Sequence, residues 1–225
     1  MKKPDLKVVL LGDMNVGKTS LLHRYMERRF QDTVSTVGGA FYLKQWGPYN
    51  ISIWDTAGRE QFHGLGSMYC RAASAVILTY DVCYMQSLLE LEDRFLGLTD
   101  TASDDCIFFV VGNKTDLIDD YHFKSDTEGE RPHVSSKSHK QVYLEDAIAL
   151  YKRIIKYKML DEHTAPAAEK MCFETSAKTG HNVDVLFEEV FNMVIPLILK
   201  KKSNGLEETV NLAQTKPEKS KSSCC

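Results

Sequence analysis

The stretch that most constrains this chain is KVVLLGDMNVGKTS, residues 7–20, where an apolar run passes directly into a turn of fixed chemistry. Val8 to Leu11 read as a short buried strand, and GDMNVGKT, residues 12–19, fits the spacing G-x-x-x-x-G-K-[ST], which requires a strand before it and a helix after it. Gly12 and Gly17 let the backbone fold around a phosphate chain with its N–H groups inward, and the following helix adds its positive N-terminal end. Lys18 would reach the β and γ phosphates, and the Thr19 hydroxyl would ligate Mg2+. The competing reading is a glycine-rich turn before an ordinary helix. The strand and helix patterns on either side favour phosphate binding.

Further apolar runs follow at 41–46, 50–55, 74–81, 106–113 and 171–176, making six in all with residues 7–12. Strands separated by helical patterns predict a mainly parallel α/β sheet with helices on both faces. Between the second and third runs, WGPYN leaves no room for a helix, so these two strands are expected to form an antiparallel edge hairpin. Helical patterns occupy 17–27, 86–98 and 142–157. The clearest helical pattern is the final one in the chain, where Val183, Leu186, Phe187, Val190, Phe191 and Val194 define one apolar face. Residues 118–140 mix both charges with Ser, Gly and Pro and read as a long exposed loop. After Lys202 the apolar period is lost, and a disordered polar tail is expected over 200–225.

A chain of 225 residues, 43% hydrophobic, can bury a full core as one domain with extensions, and a net charge of −3 supplies no basic field for nucleic acid. The lysines of MKKPDLKVVL are followed by too short an apolar run for a signal peptide, and no run approaches the ~20 residues of a membrane span, so a cytosolic protein is expected. None of the six cysteines has the CxxC spacing of a zinc site. Cys70, Cys83, Cys106 and Cys172 read as reduced thiols, mostly buried, while Cys224 and Cys225 stand adjacent at the end.

Two later stretches lie at the C-terminal ends of predicted strands, where open α/β sheets bind ligands. In NKTD, residues 113–116, the Asp116 carboxylate could accept from the ring N–H and exocyclic amine of guanine, which adenine does not present in that arrangement. A lone Asn-x-x-Asp is more often a turn. In ETSAKTG, residues 174–180, Ser176, Ala177 and Lys178 could close over a base, although a helix N-cap is the commoner use of such a stretch.

GDMNVGKT, DTAG, NKTD and TSAK in this order resemble the guanine-binding motif set of the Ras-like small GTPases, and the resemblance covers residues 5–199. STVGGAF (35–41), ISIWDTAGRE (51–60) and MYCRAA (68–73) are similar to the Rab members of that superfamily. The resemblance implies a GTP-hydrolysing switch with a Ras-like P-loop domain. Asn15, Val16, Gly17, Lys18, Thr19, Ser20, Asn113, Lys114, Asp116, Ser176, Ala177 and Lys178 would contact the nucleotide. Thr36 would join Thr19 on Mg2+, with Asp55 holding the ion through water, and the Gly58 N–H would sense the γ phosphate. Loops 33–41 and 57–69 would then rearrange between GDP and GTP. Phe41, Trp54 and Tyr69 match an aromatic triad at the Rab effector surface; core and hairpin packing explains the same residues equally well.

The terminal Cys224–Cys225 pair resembles the double geranylgeranylation site of many Rabs, and two prenyl chains anchor stably where one is marginal. The tail is locally basic, which favours an anionic leaflet. The resemblance thus implies the cytoplasmic face of an endomembrane, Golgi or endosome/phagosome, with a cytosolic pool. The implied partners are an exchange factor, a TBC-type activating protein, Rab escort and GDP-dissociation-inhibitor chaperones, and effectors.

One residue departs from this pattern. After DTAG the family carries a glutamine that orients attacking water, whereas Arg59 stands here and Gln61 follows two positions later. A two-residue shift displaces a side chain by roughly 6–7 Å in an extended loop, beyond the ~1 Å tolerance of catalytic positioning. Guanidinium has donors only, so Arg59 could stabilise charge on the transferring phosphoryl group but could not accept a hydrogen bond from water. Met14 adds bulk to the phosphate loop. Slow intrinsic hydrolysis is expected. The alternatives are a GTP-locked recruitment module and a P-loop kinase or ATPase, the latter disfavoured by NKTD together with TSAK.

Overall fold

The computed structural model describes residues 4–58, 63–118, 139–161 and 164–207. Its six strands are β1 (Leu6–Leu11), β2 (Gly39–Trp46), β3 (Tyr49–Thr56), β4 (Ala75–Asp81), β5 (Ile107–Asn113) and β6 (Cys172–Glu174). They form one sheet in the order β2-β3-β1-β4-β5-β6, parallel throughout except for the β2–β3 pair. The mainly parallel sheet with one antiparallel edge hairpin is therefore as expected. The hairpin closes through Gly47, whose φ of 55° is the left-handed conformation that glycine adopts without penalty.

Burial explains the residue choice in each strand. In β1 and β4 only Lys7 and Asp81 escape full burial, because helices cover both faces of the central sheet and the strands need not alternate. The edge strand β2 does alternate, exposing Phe41, Leu43 and Gln45 while Tyr42, Lys44 and Trp46 turn inward. From β1 the chain reaches β3 on one side and β4 on the other, so the carboxyl end of β1 is a topological switch point, and the loop after it opens into the crevice there.

The helices are α1 (Lys18–Glu27), α2 (His63–Cys70), α3 (Met85–Glu90), α4 (Leu144–Tyr157), α5 (Ala168–Met171) and α6 (Val183–Glu207). The apolar face of α6 is buried as its spacing predicts, and Phe187 stacks on Tyr25 of α1 at 4.3 Å between ring centroids. The helix runs on to Glu207, beyond the last apolar residue of its stripe.

Two stretches depart from expectation. The single helix expected over 86–98 is α3 followed by a π turn over Leu91–Phe95 and a 3-10 turn over Gly97–Thr101. The wider π turn lets Leu91, Phe95 and Leu96 all reach the core, and the Thr99 hydroxyl then bonds the Leu96 carbonyl and tightens the chain. The expected loop 57–69 contains α2. Gly66 in this helix lies against Leu98, where an added Cβ would come within 2.8 Å of Leu98 Cδ1, and the Thr101 hydroxyl donates to the Ser67 carbonyl. Of the expected loop 118–140, residues 119–138 lie outside the described residues.

Candidate nucleotide-binding site

The loop after β1 curls back on itself at Gly12 (φ 143°), Asn15 (φ 59°) and Gly17 (φ 94°) and delivers Lys18 and Thr19 to the first turn of α1. No side chain larger than hydrogen fits at Gly12, where a Cβ would stand 2.1 Å from the Thr79 carbonyl oxygen of β4. Lys18 is buried, and its ammonium spans the loop from inside, donating to the carbonyls of Gly12 at 2.7 Å and Asp13 at 2.9 Å. A polyanion entering the loop would meet that ammonium and the inward N–H groups together.

Three oxygen side chains converge beside it. Thr19 Oγ1 donates to Asp55 Oδ2 at 2.7 Å, Thr36 Oγ1 donates to the same oxygen at 3.1 Å, and the two hydroxyls are 3.0 Å apart. Asp55 is fully buried and its other oxygen, Oδ1, has no hydrogen-bond partner. Burial raises its carboxyl pKa from the ordinary value, against the pull of the Thr19 hydroxyl, the Lys18 ammonium and the Thr36 hydroxyl. A buried carboxylate with an unsatisfied oxygen and two adjacent hydroxyls is a hard-oxygen donor set of the kind Mg2+ takes, with water completing its octahedron. The donor set fits the ion.

A cavity of about 200 Å3 lies over these groups, lined by Met14, Lys18, Thr19, Ser35, Thr36 and Gly58 among others. Gly58 is pressed against the phosphate loop, where a Cβ would be 2.3 Å from the Met14 nitrogen. A second cavity of about 310 Å3 adjoins it, sharing Asn15, Gly17 and Thr33, and is walled by Phe30, Asn113, Lys114, Asp116, Ala177 and Lys178. One cleft thus has a cationic end and an end walled in part by the Phe30 ring.

At the Phe30 end the side chains hold one another or neighbouring backbone. Asn113 Nδ2 donates to the Val16 carbonyl at 2.9 Å, and Asn113 Oδ1 accepts from the Ala177 N–H at 3.0 Å, so one buried amide joins the loop after β1 to the loop after β6. Ser176 Oγ donates to Asp116 Oδ1 at 2.5 Å, and Asp116 lines the cavity. Lys114 (φ 72°) directs its ammonium onto Asp81 at 2.7 Å. Val16 is part of the buried core, and Ser20 lines the base-end cavity.

Thus of the sequence-predicted residues the cleft gathers Asn15, Gly17, Lys18, Thr19, Ser20, Thr36, Asp55, Gly58, Asn113, Lys114, Asp116, Ser176, Ala177 and Lys178. Phe41, Trp54 and Tyr69 lie apart from it in a contiguous ring cluster, with centroids 5.3 Å and 5.8 Å apart along the series, and Phe41 is half exposed. Arg59, Cys224 and Cys225 lie outside the described residues. Sequence reasoning missed Phe30 and Thr33, which wall the cleft from a polar stretch. An isolated aromatic among RRFQDT was the available signal.

The Ras family model matches residues 7–196, and the chain belongs to that family: it is a small GTPase, a GTP hydrolase that binds GTP and GDP, in general with Mg2+. Within the family it is a Rab. It is 66% identical to the Ras-related protein Rab-20 of Homo sapiens and 65% identical to that of Mus musculus, each over the whole of both chains, and 31% identical to the Ras-like GTP-binding protein RYL2 of Yarrowia lipolytica, again over both full lengths. Rabs are membrane-associated proteins of membrane trafficking that work with exchange factors, activating proteins, GDP-dissociation inhibitors and effectors. Among the described residues no helix is long and apolar enough to cross a membrane.

Proposed function

We propose that the chain is a Rab switch whose intrinsic GTP hydrolysis is slow, so that its resting population is biased toward GTP and its inactivation depends on a partner. The observation that carries the reading of the site is the Thr19–Thr36–Asp55 cluster, because Thr36 belongs to the loop expected to move and here reaches both groups of the fixed frame. In this reading the three side chains hold Mg2+, Lys18 and the loop Asn15–Ser20 hold the phosphates, and Gly58 reports the γ phosphate. Asn113, Lys114, Asp116 and Ser176–Lys178 select guanine. Bound GTP orders residues 33–41 and 57–69, and Phe41, Trp54 and Tyr69 then recruit effectors through a partly exposed aromatic surface.

Slow hydrolysis follows from Arg59, which cannot accept a hydrogen bond from the attacking water, and is supported by Met14, a bulky residue that lines the phosphate cavity. A TBC-type activating protein can supply a glutamine and an arginine in trans. Double geranylgeranylation of Cys224 and Cys225, delivered by an escort protein, anchors the domain of residues 5–199 through the tail 200–225 to the cytoplasmic face of a Golgi or endosomal/phagosomal membrane. A second reading, a GTP-locked recruitment module, is favoured by the same Met14 if its bulk also blocks the incoming arginine.

Single-turnover hydrolysis of GTP by the natural protein and Arg59→Gln, each with Mg2+ and a panel of TBC-domain proteins, separates the two. Intrinsic hydrolysis is expected to rise about 100-fold in Arg59→Gln, the lower end of the ~10²–10⁴ range of a positioned general base or water-orienting group, with the natural protein accelerated by one TBC protein. Equal intrinsic rates in the two proteins would make the arginine a working part of the site.

A further inference from the structure

The base-end loop is held from behind by a residue that none of the nucleotide motifs includes. Arg24 lies on α1, one turn beyond the phosphate-loop residues of that helix, and its guanidinium reaches the carbonyls of the loop after β6. Nε donates to the Ala177 carbonyl at 2.7 Å and Nη2 donates to the Lys178 carbonyl. Both carbonyls belong to the backbone of the stretch that carries Ser176, whose hydroxyl orients Asp116. Nη1 also reaches the Arg28 carbonyl at 3.4 Å, so the same group satisfies the end of its own helix.

We propose that Arg24 is a positioning residue for guanine, acting through Ala177 and Lys178 on Ser176 and so on Asp116. The inference rests on the reading of Asp116 as the base selector. The geometry is suited to the task. A guanidinium is a planar fork that never loses its charge, so it can fix two successive carbonyls in one relative orientation. The Ser176 hydroxyl has a single proton, which it gives to Asp116, while its oxygen accepts from the Thr179 N–H at 3.1 Å. Any rotation of the loop breaks one of these bonds. Asn113 ties the same loop to Val16 at the other end of α1, so the loop is fastened to that segment at two points. With Arg24 removed, the Asn113 link and the bonds from Thr175 to the end of β5 remain, and the Ala177–Lys178 side of the loop loses its restraint. Asp116 then loses its aim at the ring N–H and the exocyclic amine together.

The test follows dissociation of GDP and of inosine diphosphate, which lacks the exocyclic amine, from the full chain with Mg2+ in the natural protein, Arg24→Met and Arg24→Lys. The natural protein is expected to release inosine diphosphate faster than GDP. Arg24→Met should release GDP about tenfold faster, the scale of losing a charge-assisted hydrogen bond, and the ratio of the two rates should shrink toward one. Arg24→Lys, which keeps the charge but spans only one carbonyl, should fall between. GDP dissociation within twofold of natural in Arg24→Met would overturn the inference, as would equal acceleration of both nucleotides, which marks general loosening. A natural protein that released the two nucleotides alike would overturn the reading of Asp116 itself and this inference with it.

Discussion

At the base end of the cleft, Asn113, Ser176 and Asp116 are bonded to one another or to neighbouring backbone, whereas at the phosphate end Asp55 Oδ1 has no hydrogen-bond partner and the Lys18 ammonium rests on carbonyls of its own loop. The first arrangement is complete without a ligand. The second leaves a buried oxygen unsatisfied, a state that costs about 1–3 kcal/mol per group, until a cation or donor arrives. A preformed end suits discrimination, since a misplaced base leaves bonded polar groups in conflict. An incomplete end suits affinity that depends on the ligand and its metal, because the ligand supplies what the protein lacks.

The largest effect is expected at Lys18. Lys18→Met removes the ammonium while keeping the stem, and two charge-assisted contacts to phosphate at ~1.5–3 kcal/mol each predict a loss of GDP affinity on the order of 100- to 10,000-fold. Base preference should survive, because none of the bonds that orient Asp116 involves Lys18. Competitive binding of GDP against inosine diphosphate reads both quantities. If the preference collapsed along with the affinity, the two ends would be a single unit and the contrast drawn between them would be mistaken.

The two ends were also unequally readable in the sequence. The phosphate end is contiguous over residues 12–20 and sits between a strand and a helix, so spacing alone carries it. The base end is assembled from loops after β5 and β6 about sixty residues apart, and NKTD or TSAK alone is an ordinary turn or cap. Only their order along the chain made them legible. Strand positions came within two residues at every end, helped by the runs in β1, β4 and β5, which are buried on both faces and unbroken. What stayed hidden has a physical reason in each case. HGLGSMYC forms α2 despite two glycines because Gly66 needs closeness to Leu98, a tertiary demand that no local pattern records. The π turn at Leu91–Phe95 widens the helix by one residue, a change set by core packing that the local pattern of 86–98 does not record. Arg24 contacts the carbonyls of Ala177 and Lys178, 153 and 154 positions further along the chain.

The contrast sharpens at Asp116 with a somewhat smaller effect. In Asp116→Asn the carboxylate becomes an amide, which accepts one hydrogen bond from guanine and turns a donor toward the other. One charge-assisted bond lost, at ~1.5–3 kcal/mol, predicts a 10- to 100-fold fall in GDP affinity. Xanthosine diphosphate, which presents a carbonyl where guanine carries its amine, should gain over GDP. Dependence on Mg2+ should be unaltered, since the Thr19–Thr36–Asp55 cluster shares no bond with Asp116. Titration of both nucleotides with and without EDTA checks the pair of expectations. A variant that lost metal dependence would show the base end reaching the phosphate end through the protein.

The smallest effect tests the claim that the phosphate end is incomplete in itself. Asp55 is fully buried and carries an oxygen without a partner, so its charge is a burden on the fold whenever no cation is present. Asp55→Asn keeps an oxygen to accept from Thr19 and Thr36 and removes the charge. In EDTA with excess GDP the variant is therefore expected to melt about 2–4 °C above the natural protein, the shift that ~1 kcal/mol produces in a chain of this size. With Mg2+ restored, the natural protein should gain stability and the variant should gain little, so the order of the two melting temperatures reverses. Such a reversal is the signature of a residue kept for its ligand at the expense of the empty fold. Should the natural protein melt higher under both conditions, Asp55 would be stabilising through its hydroxyl partners alone, and the phosphate end would be as self-sufficient as the base end.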